Sequence, residues 1–372
     1  MPHWTRISPN WPKFNNENGP PPEINLVRNV QISPSRMVEE NGSINFGAYR
    51  TPFRNANLLD APLYAFPVPR FWKRFRLKEW QHFGIITPAY YFGMVIFDAK
   101  FSGASFFYAY ERMKNTRFEH SRQTHGKSIH VAEQPYSDAC RFDAKGYRLR
   151  FENRLDQGFH RIFIDIEESK NRPSVQGEIM VHEDLNVFEP LVQVSPITPA
   201  RPFYTHKAAV PTSGRIRLGS REIVLERNAC IALIDEQKTY YPYFAFWKWA
   251  TAAGYGDDGK LLAFNLCRNM IADDEDYNEN CFWLDGKISC LKAARFEYDD
   301  VMKPWKIKTT DGILDLSFVP LGERAQKINA GIIRSDFHQP FGLYGGAFRD
   351  DRGVNHSMKD IFGLAEDHVT RY

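Results

Sequence analysis

The stretch Leu261 to Leu291, LLAFNLCRNMIADDEDYNENCFWLDGKISCL, decides the fold class. Its opening alternates: Ala263, Asn265, Cys267 and Asn269 make one face small and polar, while Leu262, Phe264, Leu266 and Met270 make the other apolar. A period of two marks a strand, and two such unlike faces are expected to meet different solvents. Further on, Asp285-Gly286 tolerates the positive φ of a two-residue primed turn. Such a turn fixes the hairpin register, placing Leu284 opposite Lys287, Trp283 opposite Ile288, Phe282 opposite Ser289 and Cys281 opposite Cys290. Glu279 and Asn280 then enter where the acidic run Asp273 to Asp276 gives way to strand.

Outward from this hairpin the same pattern repeats. Tyr90 to Phe97 and Ala104 to Arg112 flank the turn DAKFSG, and Lys145-Gly146 folds RFD onto YRLRFE. Phe159 to Glu167 alternates through Ile162, Ile164 and Ile166, and Val175 to His182 is a further strand. Gly214 to Leu225 turns at Gly219-Ser220, Tyr243 to Thr251 joins Leu261 to Met270 around GYGDDG, and Lys306 to Phe318 turns at Asp311-Gly312. One short helix is expected, Phe71 to His82, with its Arg and Lys residues forming a solvated face. Hairpins without interleaved long amphipathic helices predict an all-β chain of antiparallel barrels or sandwiches. Repeated prolines in Pro190 to Pro202 cannot sit in paired central strands, so the boundary is expected there. This gives an irregular lead-in at 1–23, one β domain at 24–195 and a second at 196–372.

Composition narrows the partner. Of 372 residues 43% are hydrophobic and 25% charged, with a net charge of +3, so no tail or strong basic face calls for nucleic acid or an anionic membrane. The 29 Phe, 17 Tyr and 8 Trp suit a core or cavity built of rings, and hence an apolar small molecule. Five cysteines without a CxxC pair read as reduced thiols in a cytoplasmic protein, Cys281 and Cys290 included. The first residues lack a signal-peptide core, and no 18-residue apolar run follows, so neither export nor a transmembrane segment is expected. Neither Asp273 to Asp276 nor His120, His125 and His130 has metal-ligand spacing; no glycine turn precedes a phosphate-cradling helix; no GxSxG elbow occurs. No metal or other cofactor is expected.

Particular residues carry a family resemblance. THKAAVPTSGRIRLG (Thr205 to Gly219), DEQKTYYPYFAFWKW (Asp235 to Trp249), NENCFWLDGKISCL (Asn278 to Leu291), the terminal GLAEDHVTRY and the segment from Lys78 to Arg112 resemble the bacterial family catalogued as domain of unknown function 2804. That family is in turn similar to proteins of two lipocalin-like barrels, among them hydroxyneurosporene-synthase-type carotenoid hydratases, tocopherol cyclases and certain Diels-Alder cyclases. The residues of that second link are Asp235, Lys238, Tyr241, Pro242, Trp247 and Trp249, although Gln237-Lys238-Thr239 stands where the relatives tend to carry Asn-Trp-Gly. The resemblance implies two lipocalin-like (calycin) barrels packed along a cleft.

Candidate chemistry gathers near the opening stretch. Glu279, at a strand entrance beside Trp283, is placed to act as a general acid if burial raises its pKa. Asn280 and Asn265 would orient a substrate, and Trp247 and Trp249, on one side of a strand, would wall it. The competing reading binds Glu279 and Asn280 to loop backbone. Lys207 and Asp235 either brace the second barrel as an ion pair or line a cavity, Lys207 then orienting a ligand carbonyl. In the tail, Glu366 and His368 share a face that Asp367 does not, subject to terminal fraying. Two functions follow: a cofactor-independent lyase or isomerase (hydratase, isomerase or cyclase) working by proton transfer on an apolar molecule, or a non-catalytic carrier of lipid or another hydrophobic ligand.

Overall fold

A computed structural model of the chain describes residues 30–125, 128–256, 258–331, 333–350 and 352–371; the expected lead-in at 1–23 lies outside them. Strands dominate, and they fall into two sheets. The first follows the order Thr116–Thr124, Gly103–Glu111, Tyr90–Asp98, Lys78–Ile86, Ile231–Thr239, Arg201–Leu218, Val175–Val181, Phe159–Ile166, Tyr147–Arg154, Ala139–Ala144 and Ile129–His130. It curls until Ile129–His130 and Ala139–Ala144 approach Tyr90–Asp98, nearly closing a barrel. The second sheet runs Lys287–Cys290, Cys281–Leu284, Leu261–Asn269, Phe244–Tyr255, Asn355–Arg371, Ile333–Arg349, Leu314–Ala330, Trp305–Thr309 and Ala294–Glu297, a half-barrel. The fold is all-β: two lipocalin-like antiparallel barrels packed face to face.

The Asp285-Gly286 hairpin has the expected register, Cys281 opposite Cys290 through Leu284 opposite Lys287. Both turn residues have positive φ, 51° and 80°, which is why that dipeptide sets the pairing. All five cysteines are buried and none is joined in a disulfide.

Three expectations change. The helix covers only Arg70–Arg76; Leu77 has extended backbone and Lys78–Ile86 is a strand, paired on both sides. Two flanking strands satisfy its backbone along its whole length, and that outweighs the local helical pattern. The Pro-rich segment does not separate the sheets: Leu191–Thr198 pairs with Arg201–Leu218 inside the first sheet, with Pro196 at a register shift, and the change of sheet falls between Thr239 and Phe244. Lastly, the two faces of Leu261–Asn269 do not meet different solvents, because both are buried. Leu262, Phe264 and Leu266 fill the half-barrel, while Ala263 and Cys267 pack against the first barrel.

That second packing layer matters most for function. Along Lys78–Ile86, Phe83 and Ile85 point into the first barrel and Ile86 out of it; along Ile231–Thr239, Ala232 and Ile234 point in, Ile231 and Leu233 out. The outward set meets Trp249, Ala263, Phe362 and Leu364 of the second sheet in one continuous core. Polar residues at outward positions are thereby buried between two barrels.

Candidate functional site

Lys207 and Asp235 occupy directly opposed positions on adjacent strands of the first barrel, not across the second. Lys207 Nζ lies 2.7 Å from Asp235 Oδ1 and 3.0 Å from Glu279 Oε2, so one buried cation joins two carboxylates contributed by the two sheets. Their field raises the lysine pKa despite the opposing effect of burial. Glu279 also accepts from Thr205 Oγ1 at 3.2 Å, Gln237 Nε2 at 3.4 Å and Asn269 Nδ2 at 3.1 Å. The lysine and these three donors engage both carboxylate oxygens of Glu279. Asp235 accepts in addition from the Trp80 indole at 3.3 Å.

The asparagines serve the backbone. Asn280 accepts from the Cys267 amide at 2.7 Å and donates to the Lys292 carbonyl at 2.9 Å. Asn265 donates to the Glu279 carbonyl at 2.6 Å and accepts from the Trp249 indole at 2.7 Å. These bonds fix the strand entrance and aim Glu279 across the interface. Trp249 is buried at the interface, with Lys207 Nζ 5.4 Å from its ring centroid. The acidic run is held by basic side chains, Asp274 by Arg295 at 2.9 Å and Asp276 by Lys292 at 2.9 Å.

Trp247 lies farther toward solvent. Its ring is near-parallel to those of Trp80 and Tyr241 with centroids 6.0 and 5.9 Å away, and Trp80 stacks on Tyr241 at 6.1 Å. Trp80, Trp247, Asp235 and Asn269 are all half-buried, so this edge of the interface reaches solvent. Trp247 Nε1 donates to Glu366 Oε2 at 2.8 Å, and Gln339 Nε2 donates to Glu366 Oε1 at 2.6 Å, with Tyr108 donating to Gln339 at 2.7 Å. Burial raises the Glu366 pKa to about 7, against the pull of those two donors. Because an amide is assigned by its network, Gln339 can turn its oxygen to a protonated Glu366 and its nitrogen to Tyr108. Asn355–Arg371 is an inner strand of the second sheet, paired on both sides by Phe244–Tyr255 and Ile333–Arg349. As expected Asp367 faces away, bonded to Tyr298 at 2.5 Å, while His368 packs 4.2 Å from Trp247 and burial lowers its pKa to about 3.

Sequence reasoning did not find Trp80, His82 or Gln339. The first two alternate outward on a strand that had been read as helix; no local signal marks Gln339. His82 is buried with no hydrogen-bond partner for Nε2 among the described residues, and burial lowers its pKa to about 4. Inside the first barrel lies another unforeseen network: Glu183 between His160 at 2.6 Å and His206 at 2.7 Å, with Lys238 on Glu79 at 3.0 Å. An open hollow of about 510 Å³, lined by Arg117, Phe118, Glu119, Ser121, Asn171 and Arg172, shares no residue with either network.

The sequence matches the family described as "Domain of unknown function (DUF2804)" over residues 28–372. The chain belongs to that family. No curated protein matches this DUF2804 chain. Among solved structures, a Nitrosomonas europaea protein assigned as AttH is similar at 14% identity and TM-score 0.46, over 82% of this chain and 97% of that one. Kievitone hydratase from Nectria haematococca is similar at 9% identity and TM-score 0.44, over 79% and 88%.

Proposed function

We propose that this DUF2804 protein binds an apolar small molecule at the inter-barrel edge walled by Trp80, Tyr241 and Trp247, and that Glu366 transfers a proton to it. The observation that carries the reading is Glu366 itself: a buried carboxyl with a pKa raised to about 7, bonded to the indole of a half-exposed ring. A carboxyl titrating near neutrality is both protonated often enough to donate and ionised often enough to accept. Protonation of an alkene or dienol carbon by Glu366 leaves a cation against Trp247, whose face stabilises it. Addition of water, loss of a neighbouring proton or internal C–C bond formation then completes a hydration, isomerisation or cyclisation, and the released proton restores Glu366. The Lys207, Asp235 and Glu279 triad supplies the polar end of the site. This moves the acid role from Glu279, which is surrounded by donors, to Glu366.

The test is purification from the native host, identification of any retained molecule by native mass spectrometry, and incubation in deuterated water. Proton transfer predicts deuterium in the retained molecule, and a drop of at least about a hundredfold in that incorporation for Glu366→Gln with retention unchanged. Equal incorporation by both proteins removes Glu366 from the mechanism. Retention without any incorporation supports the carrier reading, which needs only the aromatic walls.

A further inference from the structure

The helix Arg70–Arg76, RFWKRFR, buries none of its residues. Phe71, Trp72 and Phe75 are 63%, 54% and 46% exposed, and upstream Tyr64 and Phe66 are 37% and 64% exposed. Tyr243 and Phe244, at 50% and 49%, complete the set: every exposed aromatic side chain among the described residues lies in 64–75 or 243–244. The two segments are neighbours in space, since Arg76 Nη2 donates to the Tyr241 carbonyl at 3.0 Å. Exposed rings gathered on one surface are unfavourable in water and mark a contact.

The charges beside those rings indicate which contact. Arg70, Lys73, Arg74 and Arg76 stand on the helix, which has no acidic residue. Arg70 faces Asp60 at 2.5 Å and Arg74 faces Glu133 at 3.7 Å, but among the described residues Lys73 and Arg76 bond only carbonyl oxygens, which do not cancel their charge. The surface is therefore aromatic and net positive. A second copy would present the same positive surface, and residues 1–29, with Arg6, Lys13 and Arg28 against Glu17 and Glu23, are no acidic cover. Trp and Phe interleaved with Arg and Lys on a short helix match the headgroup layer of a bilayer, where rings sit at the acyl boundary and cations meet phosphate.

We propose that this surface docks the protein on an anionic lipid bilayer, with Phe71, Trp72 and Phe75 entering the headgroup region and the uncancelled charges of Lys73 and Arg76 drawn to lipid phosphate. The docked face adjoins the aromatic edge: the helix leads through Leu77 into the strand bearing Trp80, and Arg76 holds Tyr241. An apolar molecule would thus pass from the bilayer to the barrels without crossing water. That route rests on the function proposed above, whereas docking itself does not, and vesicle binding is read without any ligand.

The experiment is sedimentation of the full chain with phosphatidylcholine vesicles and with vesicles partly replaced by phosphatidylglycerol, for the native protein and for Phe71→Ser with Trp72→Ser. The expected result is about tenfold stronger binding to the anionic vesicles, weakened by salt, and about a tenfold loss in the double variant with its thermal melt unchanged. Equal binding to both vesicle types, or full binding by the double variant, overturns the proposal. So does a lipid-free dimer that the same double variant dissolves in sedimentation velocity, which would assign the surface to a second copy.

Discussion

Glu366 and Glu183 are both buried carboxyls, yet they stand on opposite sides of the ordinary carboxylate range. Among the described residues Glu366 has no ion-pair partner, so burial carries its pKa up to about 7 against the weaker pull of its hydrogen-bond donors and of Lys207. For Glu183 burial pushes the same way but is outweighed by the imidazoles of His206 and His160, and its pKa falls to about 2. His206 responds in kind, held protonated by Glu183 up to about 10 although burial opposes its charge. Each shift is also a statement about stability. Between pH 4.5 and about 7 the folded chain keeps a proton on Glu366 that the unfolded chain releases, so stability falls as pH rises through that window, by roughly 3 kcal/mol in all. His206 extends the fall from 6.5 toward about 10, whereas Glu183 makes stability fall on acidification from 4.5 toward about 2. Urea titrations across pH are expected to place the optimum of these three contributions at about pH 5. In Glu366→Gln the loss between pH 4.5 and 7 should disappear; if the variant and native curves stay parallel, Glu366 titrates normally and its proton-transfer role fails with it.

At the scale of elements, the strand Asn355–Arg371 carries most of the consequence. It brings Glu366 and His368 to the interface and lies between two partners, with Gly363 opposite Ala252. A Cβ at Gly363 would come 2.2 Å from the Thr251 carbonyl oxygen and 2.5 Å from Ala252 Cβ. Backbone cannot yield as a flexible side chain does, so Gly363→Ala should force the strands apart and cost about 2 kcal/mol in denaturant unfolding. A native-like midpoint would mean that the strand is looser than its pairing indicates. The Phe71 to His82 segment teaches the complementary lesson. Its sequence suits a helix throughout, and a helix does form up to Arg76; beyond Leu77 the partners Tyr90–Asp98 and Ile231–Thr239 impose a strand. Trp80 and His82 were hidden from sequence reading for that reason.

For the whole molecule, the order of the sheets predicts how the chain divides. Strands Arg201–Leu218 and Ile231–Thr239 complete the first barrel, and the second sheet begins only at Phe244. A chain of residues 30–239 should therefore melt cooperatively, whereas one of residues 30–195 lacks two central strands and should not. Comparing their calorimetric transitions checks this, and a cooperative melt of the shorter chain would restore the boundary at Pro190 to Pro202.

The sequence by itself determined the all-β class, most hairpins and the register of Cys281 to Cys290, because turn chemistry and period-two alternation act over a few residues. It also identified Lys207 and Asp235 as candidates, each being a charge set beside apolar strand positions, and Glu279, a carboxylate at a strand entrance. That one lysine joins both carboxylates was decided only by tertiary structure, since the three residues lie more than twenty positions apart in the chain. The same holds for the raised pKa of Glu366. Glu279 and Glu366 have equal chemistry in sequence, and their difference arises from what the packing of two barrels sets beside each: a lysine at one, an indole and an amide at the other.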